Sequence, residues 1–202
     1  MKLTLTQFVT LDGVMQAPGG PSEDPSGGFE YGGWIYPYAD GFDSTIPDAF
    51  AEADAFLLGR RTYEIFASYW PKQTDPEDPI AGPLNRLPKY VASRTLQSAD
   101  WNGSELLRGD VVEAVRELKA RPGRELQVHG SGGFVQTLIE HDLIDLYRIL
   151  IFPLTLGSGR RLFAEGTRPA ALKLVSSRTS ANGATINLYE PSGEPRFGTM
   201  GE

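Results

Sequence analysis

The feature that most narrows the architecture of this chain is a short, unbroken apolar run, Ala55-Phe56-Leu57-Leu58, stopped at Gly59. Such a run is too short for a helix and has no polar alternation, so it fits a strand buried on both faces, the kind that lies in a mostly parallel sheet covered by helices. Tyr90-Val91-Ala92-Ser93 repeats the pattern, Leu126-Gln127-Val128-His129 runs into a glycine-rich turn, and Tyr147 to Pro153 is the most apolar strand of the chain. Helical patterns fall between them. One opens at Thr45-Ile46-Pro47 and runs to about Ala53, with proline in the first turn, and another spans Thr62 to Tyr69. Asp110-Val111-Val112-Glu113 reads as a capping box before a stripe of Val115 and Leu118 that ends ahead of Pro122-Gly123. A fourth helix follows Gly133, with Phe134, Leu138 and Ile139 inward. The first strand is Lys2 to Thr10, and the segment from Trp70 to Tyr90, with Pro71, Pro76, Pro79, Pro83 and Pro88, reads as loop. Leu172 to Thr179 and Ala184 to Glu190 pair through Asn182-Gly183, a strong hairpin signal. The expectation is a single α/β domain over residues 1–190, with a central mixed, mostly parallel sheet flanked by helices, a C-terminal antiparallel hairpin, and a flexible tail over 191–202.

Charge narrows the function. Nineteen Lys and Arg against 26 Asp and Glu give a net charge of −7, a field that repels nucleic acid and anionic membrane. The chain has no cysteine, so disulfides, thiolate nucleophiles and cysteine metal sites are excluded. Met1-Lys2-Leu3-Thr4-Leu5-Thr6 alternates polar and apolar residues, unlike a signal peptide, and no apolar run reaches a membrane span. These features predict a cytoplasmic protein whose partner is a small molecule. Any anion it binds must be met by a local basic patch.

Several strand exits supply one. Gly59-Arg60-Arg61-Thr62 joins a buried strand to a helix, where free first-turn N–H groups and two guanidiniums suit a phosphate, although a plain turn with solvated arginines reads equally well. Ser93-Arg94-Thr95 sits at the next strand's C-terminal end, the edge at which open α/β sheets bind ligands. Gly130-Ser131-Gly132-Gly133 is a glycine-rich strand-to-helix turn, but Val135 stands where a dinucleotide fingerprint needs its third glycine. Its amides remain able to hold a pyrophosphate. Arg160 and Arg161 follow Gly157-Ser158-Gly159 as a further anion contact, or as a solvated turn. His129 and His141 are the only histidines, and without cysteine or an H-E-x-x-H motif they build no metal site. Asp12 ends the first strand beside a Gly/Pro-rich stretch, Gln16 to Gly41, whose Phe29, Tyr31, Trp34, Tyr36 and Tyr38 predict either an ordered surface loop or the wall or lid of a pocket. Asp43 and Asp48 flank the next helix start.

In order, Thr10-Leu11-Asp12-Gly13, Leu57 to Glu64, Gly130 to Gly133 and Phe152 to Phe163 resemble the dihydrofolate reductase fold, and more closely the bacterial family built on the reductase domain of riboflavin biosynthesis. The resemblance implies an NADPH-dependent oxidoreductase that passes hydride to a small heterocycle of pterin or pyrimidine type. It assigns the cofactor phosphates to Gly59, Arg60, Arg61 and Thr62, the 2′-phosphate to Ser93 and Arg94, and the pyrophosphate to Gly130, Ser131, Gly132 and Gly133. Asp12 or Asp43 would supply the proton, and a homodimer is implied. Two alternatives stand beside it: a non-catalytic NADPH-binding sensor, and 5-amino-6-(5-phosphoribosylamino)uracil reductase, for which Arg160 and Arg161 offer the basic cluster a phosphoribosyl group needs.

Overall fold

The computed structural model describes residues 1–41 and 45–201. Eight strands form one sheet: β1 (Lys2–Thr10), β2 (Ala53–Gly59), β3 (Lys89–Ala92), β4 (Ser104–Leu107), β5 (Glu125–Val128), β6 (Leu146–Phe152), β7 (Leu172–Thr179) and β8 (Thr185–Pro191). Their spatial order is β4-β3-β2-β5-β1-β6-β8-β7. Every pairing from β4 to β6 is parallel, and β8 and β7 add antiparallel. The helices are α1 (Thr45–Ala51), α2 (Arg60–Tyr69), α3 (Ala81–Arg86), α4 (Val111–Ala120) and α5 (Gly132–Glu140).

Alternation along each strand builds two cores, one on each face. Leu3, Leu5, Leu57, Leu126 and Val128 pack against Val115 and Leu118 of α4 and Val135 and Leu138 of α5. Phe56, Leu58, Leu150 and Phe152 point the other way, against Ile46 and Phe50 of α1, Tyr63 of α2, and Phe29 and Trp34 from the aromatic loop. That loop is therefore an ordered wall: Trp34 Nε1 donates to Gln16 O at 2.8 Å and its ring meets Phe152 edge-on at 5.4 Å.

A polar seam interrupts the second core. Arg148 on β6 donates to Glu125 Oε1 on β5 at 3.2 Å and to Thr6 Oγ1 on β1 at 3.0 Å. Gln127 Nε2 donates to Glu125 Oε2 at 2.7 Å and to Ala49 O at 2.5 Å. With that amide committed, Gln127 Oε1 accepts from His129 Nε2, 3.2 Å away, which fixes the imidazole tautomer.

Two elements differ from the expectation. The proline-rich segment holds α3, because Pro83 falls in its first turn, where a missing N–H removes no helical bond. Asp78 Oδ1 accepts there from the amides of Ile80 and Ala81 at 2.8 and 2.7 Å. The edge strand β4, Ser104-Glu105-Leu106-Leu107, carries no fully buried residue, so its apolar signal is weak. The hairpin turn is as expected at Gly183, φ +84°, with Gly183 N donating to Ser180 O and Ser180 N to Ala184 O. Past β8, Ser192 N bonds Ala171 O. Among the described residues no helix is long and apolar enough to cross a membrane.

Candidate functional site

Two glycine turns lock together at the C-terminal ends of β2 and β5, which are sheet neighbours. Gly59 N donates to Gly130 O at 3.0 Å. A Cβ on Gly59 would lie 2.7 Å from both the amide nitrogen and Oγ of Ser131, and one on Gly130 2.6 Å from Thr62 Oγ1. Ser131 Oγ accepts from Thr62 N at 3.0 Å, so the start of α2 is capped from the other turn. Gly130 also has φ +129°, and its peptide bond to Ser131 is cis. Gly130→Ala is expected to lower stability by about 2 kcal/mol or more, from the backbone region it forces on a side chain together with the collision; an unchanged denaturant midpoint would contradict this reading of the interlock.

Beside the turns lies a cleft of about 400 Å³. One wall is apolar: Ile46 and Phe50 from α1, Ile65 and Phe66 from α2, then Trp70 and Ile80. The polar part of the lining includes Gln7, Glu23, Asp24, Arg61, His129, Ser131 and Arg160. His129 stacks on Phe50 at 5.0 Å and 19°. Burial, with Arg148 adding a like-charge push, lowers its pKa to about 3, so the ring stays neutral.

Two acids from the aromatic loop reach this cleft, and their pKa values shift in opposite directions. Asp24 is bound at 2.9 Å by Arg61 Nη1 and also by Arg160 Nη2. Burial opposes its ionisation, but hydrogen bonds from Ser26 and the two guanidiniums outweigh that and hold the carboxyl below its ordinary value. Glu23 accepts from Gly19 N at 2.5 Å. Its burial dominates and, with the neighbouring Asp24 charge, raises its pKa above the usual carboxylate value.

The sequence-derived candidates fall into three groups. Arg61, Thr62 and Gly130 through Gly133 line the cleft together. Arg60, Ser93 and Arg94 lie outside its lining: Arg60 bonds Glu64 at 2.8 Å and Thr95 at 2.6 Å, and Ser93 Oγ accepts from the amides of Thr95 and Leu96 at 3.2 and 3.0 Å. Arg94 is exposed and has no ion-pair or hydrogen-bond partner among the described residues. Asp12 also lies outside the lining. It accepts from Thr10 Oγ1 at 2.6 Å and from the amides of Leu156 and Gly157 at 3.2 and 2.8 Å; the Thr10 bond, against a smaller burial effect and with help from those amides, lowers its pKa. Asp43 lies outside the described residues. Sequence reasoning missed Gln7, Glu23 and Asp24, although two adjacent acids inside an aromatic loop were a signal.

The model of the RibD C-terminal domain matches residues 1–186. The chain belongs to the RibD C-terminal domain family. Among relatives of this RibD C-terminal domain chain, the uncharacterized protein YyaP of Bacillus subtilis (strain 168) is 29% identical over 198 residues, 95% of this chain and 96% of its own. A crystal structure from Shewanella sp. PV-4, provisionally assigned to riboflavin biosynthesis, aligns with TM-score 0.69 and 21% identity over 95% of this chain and 99% of that one. Dihydrofolate reductase from Enterococcus faecalis, solved with NADP(H), aligns with TM-score 0.58 and 13% identity over 94% and 96%. The RibD C-terminal domain seen here thus has the dihydrofolate-reductase-like fold that the sequence resemblance implied.

Proposed function

We propose that this RibD C-terminal domain protein is a reductase that passes hydride from NADPH to a small, flat heterocycle of pterin or pyrimidine type. The observation that carries the reading is a single cleft combining an apolar aromatic wall, an open glycine-rich helix start and an acid whose pKa is raised.

The residues present fit the cofactor. Gln7 is 5% exposed, lines the cleft, and its Oε1 has no hydrogen-bond partner among the described residues, which suits the N–H of a carboxamide. The α5 start has no side-chain cap bond, and a Cβ on Gly133 would meet nothing within 4 Å, which leaves room for a pyrophosphate at free amides. Arg94, exposed at the exit of β3 and without a partner among the described residues, suits a 2′-phosphate. When bound, the nicotinamide supplies hydride. The chain's own groups do the rest. Phe50, Phe66 and Trp70 give a planar ring an apolar aromatic surface and exclude water, the neutral His129 adds no competing charge, and Glu23 delivers a proton to the nitrogen or oxygen of the C=N or C=O bond whose carbon takes the hydride.

Trp70 lines the cleft, so its fluorescence reports binding. NADPH is expected to bind at least about tenfold tighter than NADH, a difference near 1.4 kcal/mol, and Arg94→Ala to remove most of that preference. Equal affinity for the two nucleotides, or no binding of either, would sink the cofactor assignment.

A further inference from the structure

Arg61 and Arg160 are the guanidiniums that line the cleft, and both are already taken. Arg61 Nη1 lies 2.9 Å from both carboxylate oxygens of Asp24 and 3.0 Å from Ser26 Oγ. Arg160 Nη2 reaches Asp24 Oδ2 and Ser26 Oγ as well. The Ser26 hydroxyl donates in turn to Asp24 Oδ1 at 2.6 Å. The group is built in, not a chance surface pairing: the Asp24 side chain is only 12% exposed. Gln16, 5% exposed, donates from Nε2 to the carbonyls of Asp24 and Ser26, both at 2.9 Å, while its Oε1 accepts from Arg160 N at 3.0 Å.

Two guanidiniums around one carboxylate, with a hydroxyl completing the circle, is the arrangement that recognises a phosphate monoester. Here a side chain of the protein occupies it. We infer that Asp24 is a specificity-determining residue: it fills the cleft's anion subsite from within, so the substrate is an uncharged heterocycle without a phosphate, and a phosphoribosyl ring is rejected. A dianionic phosphate brought to the two guanidiniums finds them already neutralised by the Asp24 carboxylate, which Ser26 Oγ bonds directly and whose loop Gln16 holds through the Asp24 and Ser26 carbonyls. Like charges brought together in a partly desolvated site repel, and building such repulsion against one competitor is a standard source of discrimination. The substrate side of the inference rests on the reductase reading above.

The test is calorimetric titration of ribose and ribose 5-phosphate into the wild-type protein and the Asp24→Asn variant, each alone and with saturating NADPH. Asparagine keeps the shape and removes the charge. In the wild type the phosphate is expected to add no affinity over ribose; in Asp24→Asn, ribose 5-phosphate is expected to bind at least tenfold tighter than to wild type. Adding Arg160→Gln to that variant should abolish the gain. A tenfold benefit from the phosphate in the wild type overturns the inference, and this comparison needs no variant to fold. So does an Asp24→Asn protein whose ribose 5-phosphate affinity is unchanged while its NADPH affinity shifts tenfold, because the arginines would then serve the cofactor. Failure of the wild type to bind NADPH defeats the reductase reading instead, and the ribose 5-phosphate comparison on the protein alone still decides the role of Asp24.

Discussion

Arg148→Met is expected to destabilise the fold by about 3–5 kcal/mol, the usual cost of leaving a buried charge without its partner. The carboxylate left behind is Glu125, 9% exposed, on the strand next to β1. It now accepts both from Arg148 and from Gln127 Nε2, and the methionine would leave it only an amide. Thr6 Oγ1 loses its donor in the same change. His129 loses the smaller of the two influences that keep it neutral, although burial, the larger, persists. Pairing Arg148→Met with Glu125→Leu should recover much of the loss, because no unpaired charge is then buried. Denaturant unfolding of the two variants measures this directly, and a cost below about 1 kcal/mol for the single change would mean that water reaches Glu125.

The polar seam also shows where sequence reading stops. β2 and β5 were legible because doubly buried strands leave short apolar runs, and the glycines that end them were legible as turns. Gly59 shows the limit: its φ is an ordinary −70°, and what requires glycine is the approach of Ser131 from a turn about seventy residues away. Spacing along the chain carries no such information. Lys89 is a stronger case. In sequence it is a charge before a strand, whereas in the fold it is wholly buried, caps the carbonyls of Leu84 and Leu87 at 2.7 and 2.8 Å, sits 4.5 Å from the Trp101 ring, and is pulled down to about 8 by burial. The aromatic loop was legible as ordered, since a mere linker has no use for so many rings. That its two acids shift in opposite directions was not, because Glu23 is raised mainly by burial while Asp24 is lowered by Ser26 and by Arg160 and Arg61, which the chain brings to it from two remote segments.

The arginines of Asp12 and Asp24 tell the same story from the side of function. Asp12 stands at the end of a strand beside the loop, a position that fits a catalytic acid in sequence, yet its oxygens are used by Thr10 and two amides of the Leu156-Gly157 turn. Its Arg161 neighbour is 3.9 Å away at the surface. A carboxylate held ionised by three donors is a poor proton donor.

Glu23→Gln is therefore expected to lower kcat by about 100-fold or more, the low end of what general acid catalysis contributes, with little change in NADPH affinity. Of the described acids lining the cleft, Asp24 has its pKa lowered and Glu23 has its pKa raised. Burial raises the Glu23 pKa first, the adjacent Asp24 charge adds to it, and the amides of Gly19 and Gly20 only partly oppose them. The proton-donating form is the neutral acid, so kcat should be full below the raised pKa and fall tenfold per pH unit above it. Arg61 and Arg160 also face this region, but their charges are spent on Asp24 and do not restore the ordinary value. In Glu23→Gln the alkaline fall should vanish along with the rate. Asp12→Asn serves as the contrast: it should lower the thermal midpoint, through the lost grip on the Leu156-Gly157 turn, and leave the alkaline limb where it was. A Glu23→Gln enzyme with wild-type kcat and an unmoved pH profile would remove Glu23 from the proton path, and a limb that moved in Asp12→Asn instead would return the role to the end of β1.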